Sequence, residues 1–186
     1  MENLKINGLI RVALGTAVIV GILVVNGCIF GTPPDEGEEA TAGLGSPAGV
    51  VEYIENAYMT RDIEDYKECL STNFTFYFDP NDVNTVVGDY TIPTSWGYED
   101  EIDAIGNIFD EAYSIDLKLT TSEIDDPASD ATTFTAYNVQ IRLLLMVDPS
   151  FGYLAQGFVD FEFESYTNDK GEKLWRVVNW WDRTAV

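Results

Sequence analysis

Two cysteines, 32 carboxylates and no histidine set the chemistry open to this 186-residue chain. The absence of histidine removes the commonest general base, the usual proton shuttle and the commonest metal ligand together. Two thiols cannot build a disulfide framework or a thiolate metal site within one chain. The carboxylates are numerous, but none falls into the Asp-x-Asn-x-Asn-Gly spacing of a calcium loop. Asp79-Pro80-Asn81-Asp82 and Asp125-Asp126 read as turn residues. Against 32 acidic side chains stand 10 Lys and Arg, a net charge of −22. That surface repels phosphate backbones and anionic lipid, so nucleic acid is excluded as a partner. No metal and no cofactor is expected.

The thiol of Cys28 is placed by what precedes it. Lys5 and Arg11 make a short positive segment, and Val12–Val25 follows with 14 uncharged residues. A helix needs about 20 apolar residues to cross a bilayer core, so this run is short for a span and suited to a secretory leader. Val25-Asn26-Gly27-Cys28 resembles the lipobox of bacterial lipoproteins. The resemblance implies a diacylglycerol on Cys28 and cleavage just before it, with residues 1–27 as signal peptide. The alternative is an uncleaved anchor from Val12 to Phe30, 19 residues long. Either arrangement carries the rest of the chain outside the cytoplasm and makes the membrane a partner. Two or more acyl chains would hold it firmly. Ile29 supplies no Asp-type retention signal for an inner membrane, which leans toward the outer membrane where there is one. With Cys28 so used, Cys69 is left as a small core residue.

Residues 28–46 form the next unit. Gly31–Ser46 is rich in Gly, Pro and acid and lacks apolar bulk, so it cannot offset its own ordering entropy and reads as a flexible acidic tether. Residues 47–186 are enough for one folded domain.

The domain opens at Ser46-Pro47, an N-cap and first helical residue. Val50, Ile54, Ala57, Tyr58 and Arg61 recur at helical spacing to about Thr60. Asp62 caps a short second helix through Leu70, with Ile63, Tyr66 and Leu70 on its buried side. Phe74, Phe76 and Phe78 then alternate with Asn73, Thr75 and Tyr77, which is strand spacing. Thr85-Val86-Val87 fits a short edge strand. Ser95 is expected to open a third helix whose Ile102, Ile105, Phe109 and Ala112 share a face, with Glu99, Asp100 and Glu101 in its first turn favouring the helix dipole. Ile115, Leu117 and Leu119 start a run of strands. The strongest pattern is Tyr137, Val139, Ile141, Leu143, Leu145 and Val147 on one face, with Asn138, Gln140 and Arg142 on the other. Val159, Phe161 and Phe163 oppose Asp160, Glu162 and Glu164, which places Asp160 toward solvent. Asn168-Asp169-Lys170-Gly171 is a hairpin turn. Leu174–Asp182 closes the domain with Trp175, Val177, Trp180 and Trp181. The order predicts an α+β fold, a curved antiparallel sheet wrapped around three helices from the N-terminal half.

This pattern resembles the nuclear-transport-factor-2-like (NTF2-like) family, the cystatin-like α+β cone shared with ketosteroid isomerases and polyketide cyclases. The resemblance covers about residues 48–183. It rests on Val51-Glu52-Tyr53 through Tyr66, on Trp96 with Glu101 and Phe109, on Gly157-Phe158-Val159-Asp160-Phe161, and on Leu174-Trp175-Arg176-Val177-Val178-Asn179-Trp180-Trp181-Asp182. The closing run looks like that of membrane-anchored bacterial members. The fold hosts enzymes, binding modules and assembly domains alike. If the chain resembles the isomerases, Asp182 and Asp160 are the candidate acids, and Tyr53, Tyr58, Trp96 and Trp180 line the cone with Asp182. The bland reading makes Asp182 an Arg partner or cap, and Tyr58 and the aromatics core. The function expected is therefore a non-catalytic binding or protein-interaction module, with an isomerase- or cyclase-like enzyme acting on a small apolar ligand as the alternative. The partner is a small apolar ligand or a protein. The resemblance adds a homodimer through the sheet.

Overall fold

The computed structural model describes residues 42–121 and 124–183. The leader, Cys28 and the tether through residue 41 lie outside the described residues. The elements are α1 (Pro47–Thr60), α2 (Ile63–Glu68), β1 (Leu70–Tyr77), β2 (Val86–Val87), β3 (Tyr90–Thr91), β4 (Ser95–Gly97), α3 (Tyr98–Glu111), β5 (Ser114–Leu119), β6 (Thr133–Asp148), β7 (Phe151–Thr167) and β8 (Lys173–Arg183). Six strands make one sheet in the order β4-β1-β8-β7-β6-β5, and β2 and β3 form a separate small hairpin. All neighbours are antiparallel except β1 and β8, which run parallel. The α+β architecture read from the sequence is the one observed.

Local chemistry sets the helix ends. Ser46 accepts the Gly49 amide at 3.1 Å, and Asp62 accepts those of Glu64 and Asp65. A capping side chain of this kind satisfies amides that the first turn leaves without partners. Arg61 ends α1 in the left-handed region, φ 59°. Its guanidinium reaches across to the Phe109 and Tyr113 carbonyls at 3.2 and 2.9 Å. The unfavourable backbone at one helix end is thereby tied to the terminus of another.

The sheet has a buried inner face and a more polar outer face. Phe76, Trp180 and Phe161 lie side by side in register on β1, β8 and β7. All three are buried, with Phe74, Phe163, Val177 and Leu145 around them. Full burial of one such side chain contributes about 1.5–3 kcal/mol over exposure. On the outer face Glu162 meets Asn179 and Glu164 meets Arg176.

Four points differ from the sequence reading. Ala42–Gly45, at the end of the stretch read as tether, forms a 3-10 turn with Leu44 buried in the core. Tyr137 is 68% exposed and does not share the apolar face with Val139. The register of β6 against β7 shifts between Ala136 and Val139, where Asn138 takes φ 57°. One extra residue at such a bulge turns the preceding side chains over, so Ala136 is the buried residue instead. The third helix starts at Tyr98, because Ser95–Gly97 pairs with Thr75–Tyr77 as an edge strand. Finally, the second helix stops at Glu68, and Leu70 already belongs to β1.

Candidate functional site

The densest chemistry lies inside the fold, around a residue that the sequence reading placed in a helix first turn and counted, with Trp96 and Phe109, toward the family resemblance. Glu101 is 3% exposed. It sits on α3 one turn before Ile105 and two before Ile108 and Phe109, so it occupies the buried stripe of that helix. Tyr66 of α2 donates its hydroxyl to Glu101 Oε1 at 2.6 Å, and Trp96 of β4 donates Nε1–H to Oε2 at 2.7 Å. Both oxygens are therefore taken, by donors from two other elements. Tyr58 of α1 packs edge-on against Tyr66 and Phe109, with ring centroids 5.5 and 5.2 Å away.

Burial pushes the Glu101 carboxyl up to about 7, and the two hydrogen bonds pull the other way. Tyr66 and Tyr58 are raised far above the usual phenol range, first by burial and then by the Glu101 charge. No cation is among the groups acting on this carboxyl. A buried acid of this kind holds or moves a proton near neutrality, which is what a general base needs. Each oxygen holds one donor, and at 3% exposure the carboxyl is closed off from the surface.

The aromatic packing continues from Trp96. Its ring meets Phe78 at 4.8 Å and Phe76 at 5.7 Å. Phe76 meets Trp180 at 5.9 Å, and Trp180 meets Phe161 at 4.6 Å. Trp180 is buried, and its indole N–H has no hydrogen-bond partner among the described residues.

The residues singled out from the sequence are thus dispersed. Tyr58, Trp96 and Trp180 line the interior. Tyr53 stands at the α1–α2 corner, where its hydroxyl donates to Asp65 at 2.9 Å. Asp182 is half-buried on β8 opposite Val159, on the same side as Trp180. Asp160 corrects the expectation of a solvent-facing acid. It is 6% exposed, because its carboxylate accepts the Asn138 amide of the β6 bulge at 2.8 Å and the Arg183 guanidinium at 2.9 Å. It points away from the Glu101 cluster, since its cross-strand partner is Trp181 of the outer face. Glu101 could have been found from the sequence by its spacing of four to Ile105, which puts it on the stripe that Ile105, Ile108 and Phe109 bury.

A shallower cavity of about 200 Å³ lies at the start of α1, bounded by Pro47, Asp126, Pro127, Lys173 and Trp175. Its one ammonium is already committed, with Lys173 Nζ donating to the Ser129 and Ala131 carbonyls at 3.0 and 2.6 Å.

No family model and no curated protein matches the sequence. Solved structures do resemble the fold. A conserved protein from Planctomyces limnophilus superposes with a TM-score of 0.53 at 11% identity, over 72% of this chain and 88% of that one. An NTF2-like superfamily protein from Salmonella enterica superposes with a TM-score of 0.51 at 13% identity, over 75% and 89%. The fold is NTF2-like. At these identities the likeness extends to architecture alone. A hexachlorocyclohexane dehydrochlorinase, LinA-type3 from Novosphingobium barchaimii, aligns with a TM-score of 0.49 at 11% identity, over 74% and 82%. Within the NTF2-like frame, α1–α3 cover the sheet's inner face and carry two of the three members of the Glu101 cluster.

Proposed function

We propose that this chain is a lipoprotein held at the outer surface of a membrane through lipid on Cys28, and that its NTF2-like domain is a binding or protein-interaction module. The observation that supports a non-catalytic module is the state of the interior acid. Glu101 is 3% exposed with an interior donor on each oxygen, so a substrate at the surface does not reach it in this closed form. The leader pattern supports the anchor.

For the partner we propose a second copy, meeting across the outer face of β5, β6 and β7. Cross-strand rows there read Asp116–Leu144–Leu154 and Lys118–Arg142–Gln156. Asp116 is already neutralised by Arg142 at 2.7 Å. In a chain with 32 acids and 10 bases, these two rows carry two bases and one acid beside apolar side chains, while the acids farther along β7, Asp160, Glu162 and Glu164, are engaged by Arg183, Asn179 and Arg176. Two copies can approach there without opposing like charges.

The enzymic alternative rests on the near-neutral Glu101 and on the partnerless Trp180 N–H, and it requires the interior to open. Labelling cells with a fatty-acid probe tests the anchor: signal on the wild type and none on Cys28→Ala is expected, and equal labelling defeats it. Light scattering on the detergent-solubilised full chain tests the pairing. A dimer that becomes a monomer in Leu154→Asp is expected, and a wild-type monomer defeats it.

A further inference from the structure

The feature that neither the anchor nor the pairing surface uses is the buried acid with its hydroxyls. We infer that Glu101, Tyr66 and Trp96 form a proton-operated latch joining α3, α2 and β4, tight when Glu101 is neutral and loosened at the β4 corner when it is ionised.

The geometry defines two hydrogen-bonded states. With Glu101 ionised, Tyr66 donates to Oε1 and Trp96 donates to Oε2, as observed. When a proton from solvent is placed on Oε1, the acid becomes the donor to the Tyr66 oxygen. The Tyr66 hydroxyl then rotates its own proton off the acid, on the side where the Tyr58 ring packs edge-on against it. Oε2 remains an acceptor for Trp96, whose indole can only donate. The Glu101–Tyr66 and Glu101–Trp96 pairings persist in both states, and one proton is taken up. The states differ in charge. The ionised state holds an anion in a sealed site, and ionic groups without a counter-charge are costly to bury.

Among the described residues, the groups that act on the acid carry no positive charge. Tyr66 approaches from α2, with Cys69 just after that helix acting on Tyr66, and Tyr58 approaches from α1. Trp96 from β4 has no titrating group. On α3 itself Glu99 and Asp100 are exposed. The relief open to an ionised Glu101 is water, and the shortest way to admit it is to loosen β4. That strand has three residues, pairs on one side with β1, and is followed at once by α3. The exposed β2–β3 hairpin lies immediately before it in the chain, with Val86 and Tyr90 in solvent. In a chain without histidine, this carboxyl takes the place of the usual near-neutral sensor.

Nuclear magnetic resonance on the full chain in detergent tests the latch. The Trp96 indole N–H is expected to shift with a midpoint near neutrality. Protection of that N–H and of the β4 amides, corrected for intrinsic exchange, is expected to fall about tenfold from pH 6 to pH 8. Glu101→Gln should abolish both changes. Tyr66→Phe should move the midpoint upward, since it removes a donor that favours the charged form. A Trp96 signal that is flat from pH 5 to 8.5 overturns the proposal, as does the same loss of protection in Glu101→Gln. Should Glu101→Gln fail to fold, the Tyr66→Phe midpoint decides alone, and an unmoved midpoint overturns it.

Discussion

Two carboxylates are buried on opposite sides of the same sheet, and they are buried on different terms. Asp160, on the outer side, has a backbone amide on one oxygen and the Arg183 guanidinium on the other. Glu101, on the inner side, has two neutral donors, a phenol and an indole. Both acids are fully hydrogen-bonded, so counting bonds does not separate them. Counter-charge does. Asp160 meets a full positive charge whose own side chain is half in water. Glu101 meets only dipoles, and its carboxyl is pushed up to about 7. Hydrogen bonds make an acid fit its site, and a nearby cation offsets the cost of burying its charged form.

The comparison is broken hardest by deleting the interior acid. Glu101→Ala strands the Tyr66 hydroxyl and the Trp96 N–H in an apolar site. Each stranded donor costs about 1–3 kcal/mol, so a loss of about 4 kcal/mol is expected in urea unfolding at pH 5.5. A loss under about 1 kcal/mol would mean that water already reaches the cluster.

The next largest effect is a pH dependence. The folded carboxyl of Glu101 lies above its ordinary value of 4.5, at about 7. Between those values the folded state holds a proton that the unfolded state has released. Stability from this group is therefore fully present below pH 4.5, falls as pH rises, and is gone above 7. At about 1.4 kcal/mol per pH unit the change is roughly 3 kcal/mol. The other carboxylates add their own slope, so the informative quantity is the difference between wild type and Glu101→Gln from pH 4.5 to 8. A difference that stays constant with pH would place the Glu101 carboxyl in the ordinary range.

Much of the frame was legible in the residue pattern, and the misreadings have physical causes. Helical spacing marked α1 and period two marked the inner faces of β1, β5 and β7, because burial on one side imposes those repeats. The bulge at Asn138 was not legible. A strict alternation through Tyr137 looks unbroken until the partner strand shows the extra residue, and a left-handed Asn leaves no periodic mark. Ser95–Gly97 was absorbed into the helix because an edge strand of three residues is too short to show a period. Glu101 was misread for a different reason. A carboxylate is normally assigned to solvent, and its place on the Ile105–Ile108–Phe109 stripe, with its grouping beside Trp96 and Phe109 in the resemblance, argued otherwise. Its partners come from α2 and β4, 35 and 5 residues away, and only tertiary structure brings both to it.

A smaller effect sharpens the outer half of the comparison. Asp160→Asn keeps an acceptor for the Asn138 amide and loses the charge that Arg183 pairs with. Because Arg183 is half exposed, water recovers most of the attraction, and a loss of about 1 kcal/mol is expected. Its loss should shrink in high salt, while that of Glu101→Ala, which removes neutral partners from a dry site, should not.

The smallest effect concerns the donor that neither acid serves. Trp180 keeps its indole N–H unpartnered behind Phe76 and Phe161. Trp180→Phe removes that group together with part of the ring. The lost ring volume destabilises and the lost orphan donor stabilises, by about 1–3 kcal/mol for a group with no partner at all. The two nearly cancel, and a net change within about 1 kcal/mol is expected from urea unfolding. A loss well above that, on the scale of Glu101→Ala, would show that the Trp180 N–H has an acceptor in solution, such as an ordered water. The inner face would then hold two serviced polar groups, Glu101 and Trp180, and water inside the fold would become the natural route by which Glu101 exchanges its proton.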